Sequence, residues 1–169
     1  LRALQPLGEQ IVDLEAIAKH QGSSFGSKGV DEQPTQEQFE NNLAMALRQL
    51  DCSRRIWVEN ESVVIGYRVI PSGFFEQMRR TQVIEVMVPY DARVDFLEED
   101  YGRLDKDFLC AAVQKISKRL GPNETKLTLQ AIHENRMKDF IRMVLVYYDK
   151  FYQRSRDNRL PETIHELEL

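Results

Sequence analysis

The sequence predicts an α/β protein, a parallel sheet with helices on both faces followed by a helical carboxy-terminal part. Short apolar runs at residues 10–14, 55–58 and 83–88 alternate with helical patterns, the arrangement that builds a covered parallel sheet. From Asp91 onward the apolar residues recur at helical spacing. Hydrophobic residues make up 42% and charged residues 30% of the 169, the balance of a folded globular chain. That length supports one sizeable core. The expected layout is an α/β body over residues 1–101, with residues 102–169 as a helical part packed on it.

Residues 1–7 read as the end of a helix, stopped by Gly8, because glycine accepts the left-handed conformation at a helix terminus. The chain opens Leu1-Arg2-Ala3-Leu4 without an initiator methionine, as expected of a piece of a longer reading frame or a processed product. A glycine- and serine-rich loop over 21–34 leads into a helix that starts at the capping pattern of Thr35 and Gln38 and lines one face with Phe39, Leu43, Leu47 and Leu50. Residues 63–70 form an extended stretch broken at Gly66, and Pro71 opens a short helix over 71–80. Beyond Asp91, Val94 and Leu97 share a helix face that ends at Gly102. Phe108, Leu109, Ala112, Val113, Ile116 and Leu120 mark the next helix, ended by Gly121-Pro122. Asn123 is expected to cap the following one. The last, over 138–154, is apolar over much of its surface through Phe140, Ile141, Val144, Leu145, Tyr148 and Phe151, and is expected to be largely buried.

Several function classes drop out. No apolar run approaches the roughly 20 residues that cross a bilayer, and no signal-peptide pattern opens the chain, so no membrane partner is expected and the location is read as cytoplasmic. Cys52 and Cys110, without a secretory cue, do not form a disulfide scaffold and are expected to be small, buried or half-buried side chains. His20, His133 and His165 lack a second ligand at metal spacing, which argues against zinc. The net charge of −4 is unevenly shared: residues 1–101 carry 10 Lys/Arg against 17 Asp/Glu, and residues 102–169 carry 13 against 10. The second part is therefore the better candidate for a polyanion surface, although a solvated helical face collects the same residues. The aromatic run from Tyr147 to Tyr152, with Arg154 and Arg156, has the composition to stack bases and meet phosphates, and equally the spacing of a helical core.

Ligands of parallel sheets bind beyond the carboxyl ends of the strands, so the polar residues there are the first candidates for chemistry. The first strand ends at Asp13 and Glu15. The loop that follows, His20-Gln21-Gly22-Ser23-Ser24-Phe25-Gly26-Ser27-Lys28-Gly29, combines glycines, hydroxyls and a lysine, the makings of a phosphate loop or of a plain surface loop. It is not a Walker A sequence. The second strand ends in Glu59-Asn60-Glu61-Ser62, where a carboxylate stands as a Walker B acid does to hold Mg²⁺ or orient a nucleophile. Arg54, Arg55 and Arg68 are available as purely structural partners for these acids.

Taken in order, Asp13-Leu14-Glu15, His20 to Gly26, Gln33-Pro34-Thr35-Gln36-Glu37-Gln38-Phe39-Glu40-Asn41, Val58-Glu59-Asn60-Glu61-Ser62, Ile65-Gly66, Val88-Pro89 and Tyr147-Tyr148-Asp149-Lys150-Phe151-Tyr152 resemble the tRNA 2-selenouridine synthase family. The resemblance implies a truncated P-loop-type sheet and a transferase that acts on wobble 2-thiouridine of tRNA. Geranyl diphosphate would give an S-geranyl intermediate, and selenophosphate would then deliver selenium. It also implies an amino-terminal rhodanese-like domain and a Walker A segment, both missing from this chain, which is accordingly expected to be inactive alone. Asp13, Glu59 and Glu61 become the expected catalytic residues. His20, Gly22, Ser23, Ser24, Lys28 and Arg68 are expected to bind substrate or phosphate. Glu59 is the candidate Mg²⁺ ligand, and no tightly bound cofactor is expected. Gln21 stands where the family commonly has arginine and Asn60 where it has aspartate, which leaves the metal reading on Glu59 and Glu61. The alternatives are a P-loop kinase or NTPase fragment, and a non-catalytic tRNA-binding module.

Overall fold

The computed structural model describes residues 1–27, 32–157 and 159–168. They belong to two compact units, Leu1–Thr81 and Gln82–Leu169. The class is mixed α/β, mostly helical, with small parallel sheets and a helical carboxy-terminal part.

In the first unit a 3-10 helix, Arg2–Leu7, ends at Gly8 with φ 81°. Next come β1 (Gln10–Val12), α1 (Leu14–Ala18) and α2 (Gln36–Arg48), the last capped by Thr35, whose hydroxyl accepts from the Gln38 N–H at 3.1 Å. After β2 (Ile56–Val58), a small hairpin of β3 (Val64–Ile65) and β4 (Arg68–Val69) leads to α3 (Ser72–Arg80). Strands β1 and β2 are parallel, in the register Gln10↔Ile56, Ile11↔Trp57 and Val12↔Val58. A parallel pair needs a long crossover, and α1 and α2 supply it. Val12, Leu14 and Ala18 pack there with Phe39, Leu43, Ile65, Ile70 and Met78 as one buried cluster.

Two glutamines hold the hairpin to this layer. The Gln33 amide donates to the carbonyls of Ala18 and Ile65, at 2.9 and 3.0 Å, and accepts from the Tyr67 N–H at 2.6 Å. Gln36 brackets Val69, accepting from its N–H at 2.9 Å and donating to its carbonyl at 2.7 Å. These side chains satisfy backbone groups that so short a hairpin leaves open.

In the second unit β5 (Val83–Met87) runs parallel to β6 (Ile164–Glu168), from Val83↔Ile164 to Met87↔Glu168. The tail strand β6 was not foreseen. The expected three-stranded sheet is thus seen as two parallel pairs, β1–β2 and β5–β6. Glu85 faces Glu166 across the second pair, and Arg156 answers both acids, at 2.7 Å from Glu85. Between the strands lie α4 (Tyr90–Tyr101), α5 (Lys106–Leu120), α6 (Pro122–His133) and α7 (Met137–Asp157). The cap of α6 is Gly121, with Pro122 in the first turn, so Asn123 lies inside the helix. Proline's fixed φ and missing donor suit that first position.

Helix α7 departs from the expected burial. Its first half is core, through Phe140, Ile141, Val144 and Leu145, but Phe151 and Tyr152 are 44% and 58% exposed. Length explains this. At 1.5 Å per residue α7 is about 31 Å long, and α4 and α6, the two helices it packs on, are about 18 Å each, so α7 outruns both. Cys52 is exposed and Cys110 half-buried, which corrects the first of the two cysteine expectations. No helix among the described residues is long and apolar enough to cross a membrane.

Candidate active site

The β1–β2 register places the two strand ends side by side. Val12 pairs with Val58, so the next residues, Asp13 and Glu59, leave the sheet together. Their carboxyl groups are within hydrogen-bond reach of each other. Glu15 and Glu61, two residues further along each segment, are in contact in the same way. Four carboxyl groups therefore form two rungs at the carboxyl end of the parallel pair. The strand ends at Val58, so Glu59 and Glu61 leave the sheet, and each finds its neighbour on the other segment.

Each acid also holds backbone. Asp13 caps α1, accepting from the Ala16 N–H at 2.7 Å, and pairs with Arg2 at 2.9 Å. One Glu59 oxygen accepts from the Leu14 N–H at 2.9 Å, joining the end of β2 to the start of α1. Burial pushes Asp13 up, but the Ala16 N–H and Arg2 outweigh it and leave this carboxyl below its ordinary value. For Glu59, burial together with the Asp13 and Glu15 carboxylates pushes the pKa up to about 6, against the pull of the Leu14 N–H. Burial, aided by Glu59, likewise raises Glu61. Among the described residues none of the three arginines expected as structural partners is paired with Glu59: Arg54 donates to the Gly8 carbonyl at 2.6 Å, Arg55 pairs with Glu9 at 3.0 Å, and the Arg68 Nε is buried without a hydrogen-bond partner.

A stability prediction follows. Glu59 binds its proton more tightly folded than unfolded, so its contribution to stability is full below its unfolded value near 4.5 and is lost as pH rises through about 6. The contribution is at most about 1 kcal/mol once solvent screening at this half-exposed group is allowed for. Melting temperature is expected to rise between pH 7 and pH 5, and the rise to shrink in Glu59→Gln. Asp13, shifted downward, acts oppositely, but only below its ordinary value near 3.8.

The loop that follows α1 stands against these acids through Gly22. Its φ is 68°, and a Cβ there would lie 2.6 Å from Glu61 Oε2, so only glycine lets the carboxylate approach so closely. The loop closes on itself: Gln21 N–H donates to Gly26 O at 3.0 Å, Gly22 N–H to His20 Nδ1 at 3.1 Å, Ser23 N–H to Gln21 O at 2.7 Å, Phe25 N–H to Ser23 Oγ at 3.1 Å and Gly26 N–H to Ser23 O at 2.9 Å. These five amides are engaged within the turn and do not form an open cradle for an anion. Two of its side chains are drawn into the turn as well: Ser23 Oγ accepts from the Phe25 N–H, and the His20 ring lies against Gly26. Because Nδ1 of His20 accepts, its ring proton in the neutral form sits on Nε2. Lys28 lies outside the described residues. The structure thus joins Asp13, Glu59, Glu61 and Gly22, with His20, Ser23 and Ser24 in the adjoining turn, and Arg68 is on β4. Sequence reading missed Gln33 as the tie between α1 and the hairpin, and no local pattern marks it.

All of these residues lie within residues 2–108, which match the family model described as tRNA 2-selenouridine synthase AAA domain. The chain belongs to the tRNA 2-selenouridine synthase family. A family member from Shewanella frigidimarina is 33% identical over 85% of this chain and 48% of its own length. One from Shewanella oneidensis is 28% identical over 94% of this chain and 49% of its own length. One from Nitrosomonas europaea is 42% identical over 54% of this chain and 24% of its own. Each is named tRNA 2-selenouridine synthase. The chain spans about half the length of the first two of these relatives. No solved structure matches it.

Proposed function

We propose that this chain carries the group-transfer site of an enzyme that converts wobble 2-thiouridine of tRNA to 2-selenouridine through an S-geranyl intermediate. The observation that supports this most is the rung of Asp13 and Glu59 at the carboxyl ends of β1 and β2, inside the family-matched region. In the first step the thiouridine sulfur attacks C1 of geranyl diphosphate. The S–C bond forms, the C–O bond breaks with its electron pair leaving on the diphosphate, and the proton on ring nitrogen N3 must go to a base. A carboxylate with a pKa of about 6 suits that task near neutral pH, because it is mostly ionised yet basic enough to hold the proton. The Leu14 N–H holds this carboxylate in place. Alkylation converts the sulfur into a leaving group: selenium of selenophosphate bonds to C2, the C2–S bond breaks with its electron pair leaving as geranylthiolate, and water then cleaves the Se–P bond to release phosphate.

Among the described residues no group of three or more His, Cys, Asp or Glu side chains is placed to hold a metal ion. The acids fit the sparser mode of Mg²⁺ binding, in which one or two carboxylates share the ion with phosphate oxygens and water. Glu59 would hold it, with Glu61 next, and the ion would offset negative charge on the diphosphate; the base role above belongs to the metal-free Glu59 carboxylate, and a Glu59 bound to the ion would instead position the diphosphate. A phosphate loop and a rhodanese-like domain elsewhere in the enzyme complete the proposal.

The test is nucleoside analysis by mass spectrometry. The full-length protein is incubated with 2-thiouridine tRNA and geranyl diphosphate, then with selenophosphate. S-geranyl-thiouridine is expected first and selenouridine second. Neither product, together with steady ATP hydrolysis, would point to an NTPase instead.

A further inference from the structure

The overhanging half of α7 is unusual in what it leaves uncovered. The apolar stripe that is core at Phe140, Ile141, Val144 and Leu145 continues through Tyr148, Phe151 and Tyr152, where the rings meet one another. Phe151 and Tyr152 form an edge-on pair with centroids 6.1 Å apart, both open to solvent. Lys150 and Arg154, one turn apart and both exposed, flank the rings. Helix α5 runs parallel to α7, since α6 reverses between them, so its carboxy-terminal end is at the same end of the bundle. There it adds the exposed cations Lys115, Lys118 and Arg119, and Arg119 reaches the Tyr147 hydroxyl. Most acids at this end are engaged, Glu85 and Glu166 by Arg156 in the last turn of α7. Asp149 is paired with Arg93, Asp157 accepts from Gln153 at 2.8 Å, and Glu124 lies against Gly121 at the start of α6.

We infer that this end of the bundle is a contact surface for unpaired RNA, with Phe151 and Tyr152 stacking on bases and Lys150, Arg154, Lys118 and Arg119 meeting phosphates. Exposed rings between cations are what a single strand needs: every base has a face to stack, and the backbone brings one charge per nucleotide. A duplex hides its base faces, so stacking selects unpaired residues such as those of a tRNA loop. The inference rests on the RNA-directed reading above.

Binding of a synthetic single-stranded RNA and of a duplex of the same sequence is measured with the full-length protein across a salt series. The Lys150→Glu and Arg154→Glu double variant is expected to weaken single-strand binding at least tenfold. It should also flatten the salt dependence, since about 0.7 of a counterion is released per phosphate contact on a single strand. Phe151→Ala with Tyr152→Ala is expected to weaken it about fivefold or more while leaving the salt slope unchanged. If the parent protein binds RNA but both variants match it in affinity and slope, the surface is wrong and the transferase reading stands. If the variants lose melting temperature and keep RNA affinity, the patch is a protein contact and the inference fails. If the parent protein binds no RNA, both readings fall.

Discussion

Glu59→Gln in the full-length protein is expected to lower the rate of S-geranyl transfer by about two orders of magnitude, with tRNA affinity nearly unchanged. Glutamine keeps the size of the side chain and an oxygen to accept from the Leu14 N–H, so the tie between β2 and α1 survives. It cannot take a proton or hold a cation. Loss of a general base typically costs about 10²–10⁴-fold, and the loss falls on turnover and on the Mg²⁺-assisted hold on the diphosphate rather than on tRNA binding. The surroundings give this test a second readout. Since Glu59 stands against Asp13 and its ionised form is disfavoured, removing the charge is expected to leave the melting temperature at pH 7.5 equal or higher. A variant that melts lower and turns over normally would identify Glu59 as a structural group and remove it from the chemistry.

Gly66→Ala is expected to destabilise the first unit by about 3 kcal/mol. Gly66 has φ 62°, in the left-handed region, and a Cβ there would sit 2.2 Å from Gln33 Oε1. The strained backbone contributes about 1–2 kcal/mol. Displacement of Gln33, which serves Ala18, Ile65 and Tyr67 at once, contributes about 1–3 kcal/mol through backbone groups left unpaired. A loss of that size lowers the melting temperature of a unit this small by roughly 10–20 °C. Gln33→Ala keeps the backbone unstrained and should lose less, and the double substitution should lose much less than the sum, because both act through one contact. Thermal melts of the three variants check this, and a Gly66→Ala protein that melts within a degree or two of the parent would contradict it.

These two sites also mark what the sequence could and could not reveal. Helix starts and stops at Thr35, Gly8, Gly121 and Pro122 were legible because each is a local backbone requirement with its own residue type. The positions of the acids at the strand ends were legible for a similar reason, since each closes a short apolar run. Their pairing was not, because Asp13 meets Glu59 only through the β1–β2 register, which depends on residues 46 apart. Strand β6 was invisible for a stronger reason. Its alternating acids, Glu166 and Glu168, have the look of a solvated tail, and Arg156 between Glu85 and Glu166 offsets the charge of the pairing with β5. Gln33 escaped notice because a single amide that serves three backbone groups has no periodicity. The turn from His20 to Gly26 looked open for phosphate by composition, and its own hydrogen bonds close it.

The central claim is that the acids at the ends of β1 and β2 serve a diphosphate. The most direct measurement is calorimetric binding of geranyl diphosphate to the full-length protein, with and without Mg²⁺, for the parent and for Glu59→Gln. Binding that strengthens at least tenfold with Mg²⁺ in the parent, and loses most of that gain in Glu59→Gln, is the predicted result. Binding equally tight in both proteins and indifferent to Mg²⁺ would contradict it.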